Sequence, residues 1–146
     1  MGKVVGVIYP IPLKFVDRLF SEQRNVFVKY LAHPTRVRIA QRNRILFYAS
    51  HGQKELVGEA SITSIEFLTP TEALERYDGK VFLNKAELMQ YTSGRSPSKK
   101  LLVMVLSQPR KYAKAVKYWK PITMAGEYIT EEVYKKLKEL GKKKGR

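Results

Sequence analysis

The chain of 146 residues contains no cysteine, which removes disulfides, thiol nucleophiles and cysteine-ligated zinc together and suits a cytoplasmic setting. No apolar run approaches the roughly 18 residues that a membrane span needs, and no basic stretch leads into a long apolar one at the amino terminus. Neither a membrane protein nor a secreted one is expected. The two histidines, His33 and His51, lack the spacing of a metal pair, and no glycine-rich phosphate loop occurs. Ser50 and His51 are neighbours at a predicted strand end, so their side chains diverge and a serine triad is not expected. No metal and no cofactor is implied. Acids are also scarce, 13 against 28 lysines and arginines, for a formal net charge of +15.

That excess is unevenly spread. Residues 1–51 hold nine bases and two acids, residues 52–92 four and seven, and residues 93–146 fifteen and four. Two basic arms flanking an acidic middle place the cations on one face, the electrostatic footprint of a polyanion partner, with nucleic acid the leading class. Residues 135–146 carry seven bases and one acid, so part of the excess is a solvated tail, yet the remainder stays basic. With 44% hydrophobic residues, the length suits one domain, residues 1–140, followed by a disordered basic tail at 141–146.

The middle of the chain reads as a hairpin. Ile45 to Tyr48 is a short strand-favouring apolar run, Gly52 lies in a polar bend, and from Leu56 to Ile65 polar and apolar residues alternate. Gly58 within the second strand marks a bulge or a close backbone approach. Before the hairpin, a strand at 4–9, an amphipathic helix at 12–22 and a strand at 25–32 are expected. After it come two short helices, one capped at Thr69 or Thr71 and one at Asn84, their early acids serving the helix dipole. Leu101 to Leu106 reads as a buried strand ended by Pro109. A further extended segment is expected near Val116 to Trp119, and a last helix runs from Glu131 to Leu140, capped by Thr130, striped by Val133, Leu137 and Leu140 and stopped by Gly141. The sum is an α+β fold, a small, mostly antiparallel β-barrel with helices at its rim.

Several segments suit nucleic acid. Pro34 to Arg44 carries Arg36, Arg38, Arg42 and Arg44 without an acid, and the planar guanidinium fork suits phosphate. The plain alternative is a solvated loop. Tyr112, Tyr118 and Trp119, beside Lys111, Lys114, Lys117 and Lys120, offer a stacking platform set among cations, or else Tyr118 and Trp119 complete a core while only the lysines face water.

The order of elements, with Ile11-Pro-Leu-Lys14 entering the first helix, Ser21-Glu-Gln-Arg-Asn-Val-Phe-Val-Lys29 after it and the Ile45 to Ile65 hairpin, resembles the PUA-like superfamily, in particular its ASCH branch and an uncharacterised archaeal group. The resemblance covers most of residues 4–137. It implies a pseudobarrel that binds RNA or modified nucleotides in a cleft between barrel and first helix. The ASCH pattern sets a lysine after the first helix and an acid and an arginine on the next strand; Arg24 takes the lysine's place, Lys29 the arginine's, and Phe27 stands where the acid belongs. Related amidohydrolases acting on acetylated cytidine use an adjacent lysine and threonine plus a later glutamate. Here the pair is Arg24-Asn25, and arginine does not usefully lose its proton while asparagine is no nucleophile, which leaves only Glu59 as a carboxylate.

The expected site is therefore a basic cleft of Arg24, Asn25, Lys29, Arg36, Arg38, Tyr48, Ser50, Lys117, Trp119 and Lys120. Its arginines would grip phosphates, Tyr48 or Trp119 would stack on a base, and Asn25 or Ser50 would read a base edge. The expected partner is RNA or a modified nucleotide. The alternatives are an ASCH-type nucleotide amidohydrolase or ribonuclease, and a module that binds an acidic protein; the oligomeric state is open.

Overall fold

The computed structural model describes residues 3–21, 24–31, 38–50 and 54–142, with the side chains of residues 21 and 142 left aside. The elements run β1 (Val4–Ile11), α1 (Leu13–Ser21), β2 (Val26–Lys29), β3 (Arg44–Ala49), β4 (Leu56–Leu68), α2 (Pro70–Arg76), α3 (Lys85–Thr92), β5 (Leu101–Val116), β6 (Glu127–Thr130) and α4 (Glu131–Lys142). One sheet carries the strands in the order β2-β5-β4-β3-β1-β6. All pairings among these strands are antiparallel except β1 with β3. The expected α+β barrel-like architecture is present, with the pseudobarrel left open between its edge strands β2 and β6.

The central strands are apolar on both sides because each face of the sheet meets its own core. Val7, Tyr9 and Ile11 of β1 point into the larger core with Ile45 and Phe47, while the intervening Ile8 joins Leu46, Tyr48, Val116 and Leu137 in a second core. Period-two alternation thus feeds two layers rather than one layer and water. The larger core holds a run of rings, Tyr9 on Phe27 at 5.7 Å and Phe27 on Phe82 at 5.1 Å. Phe27 at the position of the family's acid is a packing residue. The second core is roofed by α4, through Leu137 and the partly buried Val133. The third residue of the expected stripe, Leu140, is 37% exposed.

Gly58 lies at a register shift in both of its pairings, and a Cβ there would meet Phe20 Cζ at 2.3 Å and the Arg110 carbonyl at 2.7 Å. The bulge and the close approach occur at the same residue. The helix caps agree with their residue types: Thr69 with Glu72, and Asn84 with Glu87, each form a capping box. Glu87 also takes a two-pronged contact from Arg18 at 2.5 and 2.9 Å.

β2 is shorter than the expected 25–32, no separate strand forms near Val116 to Trp119, and two expected stop signals do not end their elements. Pro109 does not end β5, which continues to Val116. Glu59 pairs with Arg110 and Ser61 with Ser107, so Gln108 and Pro109 together oppose the single residue Ala60. Proline's missing N–H falls where a bulge already interrupts the ladder, and Gln108 takes a positive φ of 51° to make the turn. Gly141 likewise does not stop the last helix, which reaches Lys142. It is buried, and a Cβ there would stand 3.2 Å from the Tyr112 ring.

Candidate functional site

Where the pseudobarrel fails to close, a cavity of about 600 Å³ opens between its two edge strands. β1 brings Tyr9 to it, the end of β2 brings Lys29, Tyr30 and Leu31, and β6 brings Tyr128. The last turn of α3 adds Tyr91, the turn after it adds Arg95 and Lys99, and the approach to β6 adds Met124 and Ala125. Two glycines shape these turns. Gly94 has φ +84°, and Gly126 has φ +75° where a Cβ would strike the Tyr9 ring at 2.5 Å.

The lining therefore combines four tyrosines with three cations and includes no carboxylate. Lys29 is only 6% exposed, its ammonium 5.1 Å from the centre of the Tyr9 ring. No acid faces it among the described residues, and burial draws its pKa below the ordinary lysine value. The Tyr9 phenol is pushed well above its usual range, chiefly by burial and then by neighbouring Tyr128. Tyr30 stacks on Tyr91 with ring centres 5.6 Å apart, and its backbone N–H donates to the Tyr91 hydroxyl at 3.0 Å. Arg95 and Lys99 lie over the Tyr30 ring at 4.7 and 5.3 Å. The Tyr30 hydroxyl itself is buried and has no hydrogen-bond partner among the described residues. A buried polar group without a partner costs about 1–3 kcal/mol.

The expected site residues scatter around this cavity. Lys29 lines it, whereas Arg38 lines a separate pocket of about 430 Å³ with Lys3, Val4 and Asn43, its guanidinium 5.5 Å from the Tyr128 ring. Arg24 lines a neighbouring cavity of about 680 Å³ and donates to the Val81 carbonyl at 3.2 Å. Asn25 is bound to the backbone, its Nδ2 donating to the Leu106 carbonyl at 3.0 Å. Tyr48 is in the second core and 7% exposed, which leaves its ring no free face for a base. Ser50 follows β3, its N–H donating to the Ile11 carbonyl at 3.2 Å. Lys117 is exposed, Lys120 pairs with Glu127 at 2.8 Å, and Trp119 is 52% exposed, stacked on Tyr118 at 4.2 Å under the Lys136 ammonium. Arg36 lies outside the described residues, as do His33 and His51. None of the described cavities is lined by α1, in contrast to the cleft beside the first helix that the resemblance implies.

Glu59 has a different role from a lone strand-face residue. It is 1% exposed, and its carboxylate accepts from the Tyr112 hydroxyl at 2.9 Å and the Tyr134 hydroxyl at 2.6 Å, with Arg44 at 3.5 Å and Arg110 at 3.6 Å. Four groups from β3, β5 and α4 thus converge on one carboxylate of β4, a fastener for the helix against the sheet. Sequence reasoning missed Tyr9, Tyr30, Tyr91, Arg95, Lys99 and Tyr128 as lining residues. The available signal is the turn from Thr92 to Lys100, which sets Arg95, Lys99 and Lys100 among serines, a glycine and a proline.

The comparisons agree with this geometry at the level of the fold. The ASCH protein of Zymomonas mobilis superposes with a TM-score of 0.76 at 18% identity, over 93% of this chain and 95% of that one. The N-terminal domain of Staphylothermus marinus McrB gives 0.55 at 15% identity, over 95% and 98%. An uncharacterized protein of Methanocaldococcus jannaschii is 33% identical over 103 residues, which is 64% of this chain and 95% of its relative. The fold of the Zymomonas mobilis ASCH protein is thereby shown for this chain. The family described as a domain of unknown function, DUF365, matches residues 4–131, and the chain belongs to that family.

Proposed function

We propose that this domain binds RNA, or a modified nucleotide within it, in the cavity between β2 and β6. The observation that carries the reading is a buried lysine that faces no acid among the described residues, set in a cavity of aromatic rings and cations. Lys29 supplies an ammonium in a poorly solvated setting, where its attraction to a phosphate or a base carbonyl is screened less than at the surface. Tyrosine rings stack on bases at about 1–3 kcal/mol each. Arg95 and Lys99 at the mouth neutralise phosphates, and the basic surface around them draws a polyanion in.

The lowered Lys29 pKa also supports a second reading, turnover of a modified nucleotide by a lysine whose proton burial has loosened. One experiment addresses both. Single-stranded RNA is titrated by fluorescence anisotropy at low salt against wild type and Lys29→Met, with a product assay on the same preparations. Loss of one charged hydrogen bond, about 1.5–3 kcal/mol, predicts affinity about 10- to 150-fold weaker in Lys29→Met, with no product from either protein. Equal affinities would refute the assigned site, and product formed only by wild type would replace binding with catalysis.

A further inference from the structure

The cavity between β2 and β6 shares a wall with its neighbour. Tyr30 and Arg95 line both, and the second cavity, about 680 Å³, lies between α2, α3 and the segment that joins them. The two chambers differ in chemistry. The first is cationic and free of carboxylates among its lining residues. The second has apolar walls in Leu74, Val81, Leu83, Met89 and Pro97, and sets two carboxylates, Glu75 and Asp78, beside the bases Arg24, Lys85 and Arg95.

We infer that the ligand is a single-stranded dinucleotide step, with one nucleotide in the β2–β6 cavity, the next nucleoside in the α2–α3 cavity, and the phosphodiester between them held at Arg95. This rests on the reading given under Proposed function. Each chamber is in the size range of one small ligand, about 300–1,000 Å³, so a single nucleotide fills one and leaves the other empty. Arg95 follows the positive-φ Gly94, is exposed, and is steadied by its contacts with the Tyr30 ring at 4.7 Å and the Tyr91 carbonyl at 3.3 Å. A planar guanidinium at the shared wall suits a phosphodiester oxygen pair. Carboxylates accept hydrogen bonds from exocyclic amino groups, so Glu75 and Asp78 give the second chamber carboxylate acceptors for a base edge that the first lacks among its described lining residues. Apolar walls suit the faces of that base.

Methionines report on the two chambers separately. Met89 lines the second, Met124 the first, and Met104 is fully buried in the larger core. In protein labelled with ¹³C at the methionine methyls, nucleoside 5′-monophosphates should shift Met124 alone. The corresponding 5′-phosphorylated dinucleotides should shift both Met124 and Met89, leave Met104 unmoved, and bind at least tenfold more tightly. Met124 responding to both ligands while Met89 responds to neither would overturn the dinucleotide inference and leave the first chamber as a nucleotide site. Met89 responding to monophosphates would overturn the division of one nucleoside per chamber. Silence at both methyls would overturn this inference together with the reading it rests on.

Discussion

Replacing Glu59 with glutamine changes one oxygen of a buried carboxylate into an amide and tests whether that residue fastens the fold. Its two oxygens each take a phenolic proton, from Tyr112 at 2.9 Å and Tyr134 at 2.6 Å, and Arg44 and Arg110 stand at 3.5 and 3.6 Å. Glutamine keeps a single side-chain acceptor oxygen, so one charge-assisted bond, about 1.5–3 kcal/mol, is lost outright. The two guanidiniums also lose their counter-charge, but they are 33% and 50% exposed, and water screens most of that loss. The sum is about 2–4 kcal/mol, which at about 2–4 °C per kcal/mol for a chain of this size lowers Tm by about 5–15 °C. Thermal and urea unfolding followed by circular dichroism measure it. RNA affinity below the transition should stay within about twofold of wild type, because Glu59 lines none of the described cavities. A destabilisation under about 0.5 kcal/mol would refute the fastener argument.

Other expectations follow from the same contacts. Burial, then the hydrogen bond to Glu59, pushes the Tyr134 pKa up to about 12, so the folded chain keeps a proton that the unfolded chain releases near pH 10. The stabilisation is complete below pH 10 and is lost as pH rises towards 12, so the urea midpoint should fall across that window. Burial lowers the Lys29 pKa, so its contribution to affinity should vanish at a pH below the ordinary lysine range, and Lys29→Met should abolish that loss. Gly58→Ala forces a Cβ against Phe20 and the Arg110 carbonyl, and should cost about 1–3 kcal/mol in urea unfolding. Deleting residues 143–146 should weaken RNA binding equally for all sequences and leave Tm unchanged, a result that a Tm shift of several degrees would contradict.

Local signals carried much of the fold. The hairpin, the Thr69 and Asn84 caps and the Gly58 bulge all follow from residue types within a few positions of each other, where propensity and hydrogen bonding act over short range. Pro109 misled because its cost depends on what lies opposite, and that is a bulge set by β4, some fifty residues earlier. The site was harder to read for the same reason. Lys29 stood out as a base at a family position, but its cavity depends on where the sheet fails to close, which brings Tyr128 and the turn after α3 beside β2. Tyr48 reads as a stacking residue at the end of a short apolar strand, but burial on both faces of β3 encloses it. Glu59 looked solitary because its partners Tyr112, Tyr134 and Arg110 come from far along the chain.

The most direct test of the central claim is to locate the bound RNA. Single-stranded RNA substituted with 4-thiouridine, photocrosslinked to the full chain and mapped by mass spectrometry, should mark Tyr30, Tyr91 or Tyr128, or the turn holding Arg95 and Lys99. Lys29→Met should reduce those adducts without redirecting them. Adducts confined to Lys117–Lys120, Trp119 or α4, with none on the residues that line the β2–β6 cavity, would contradict the account.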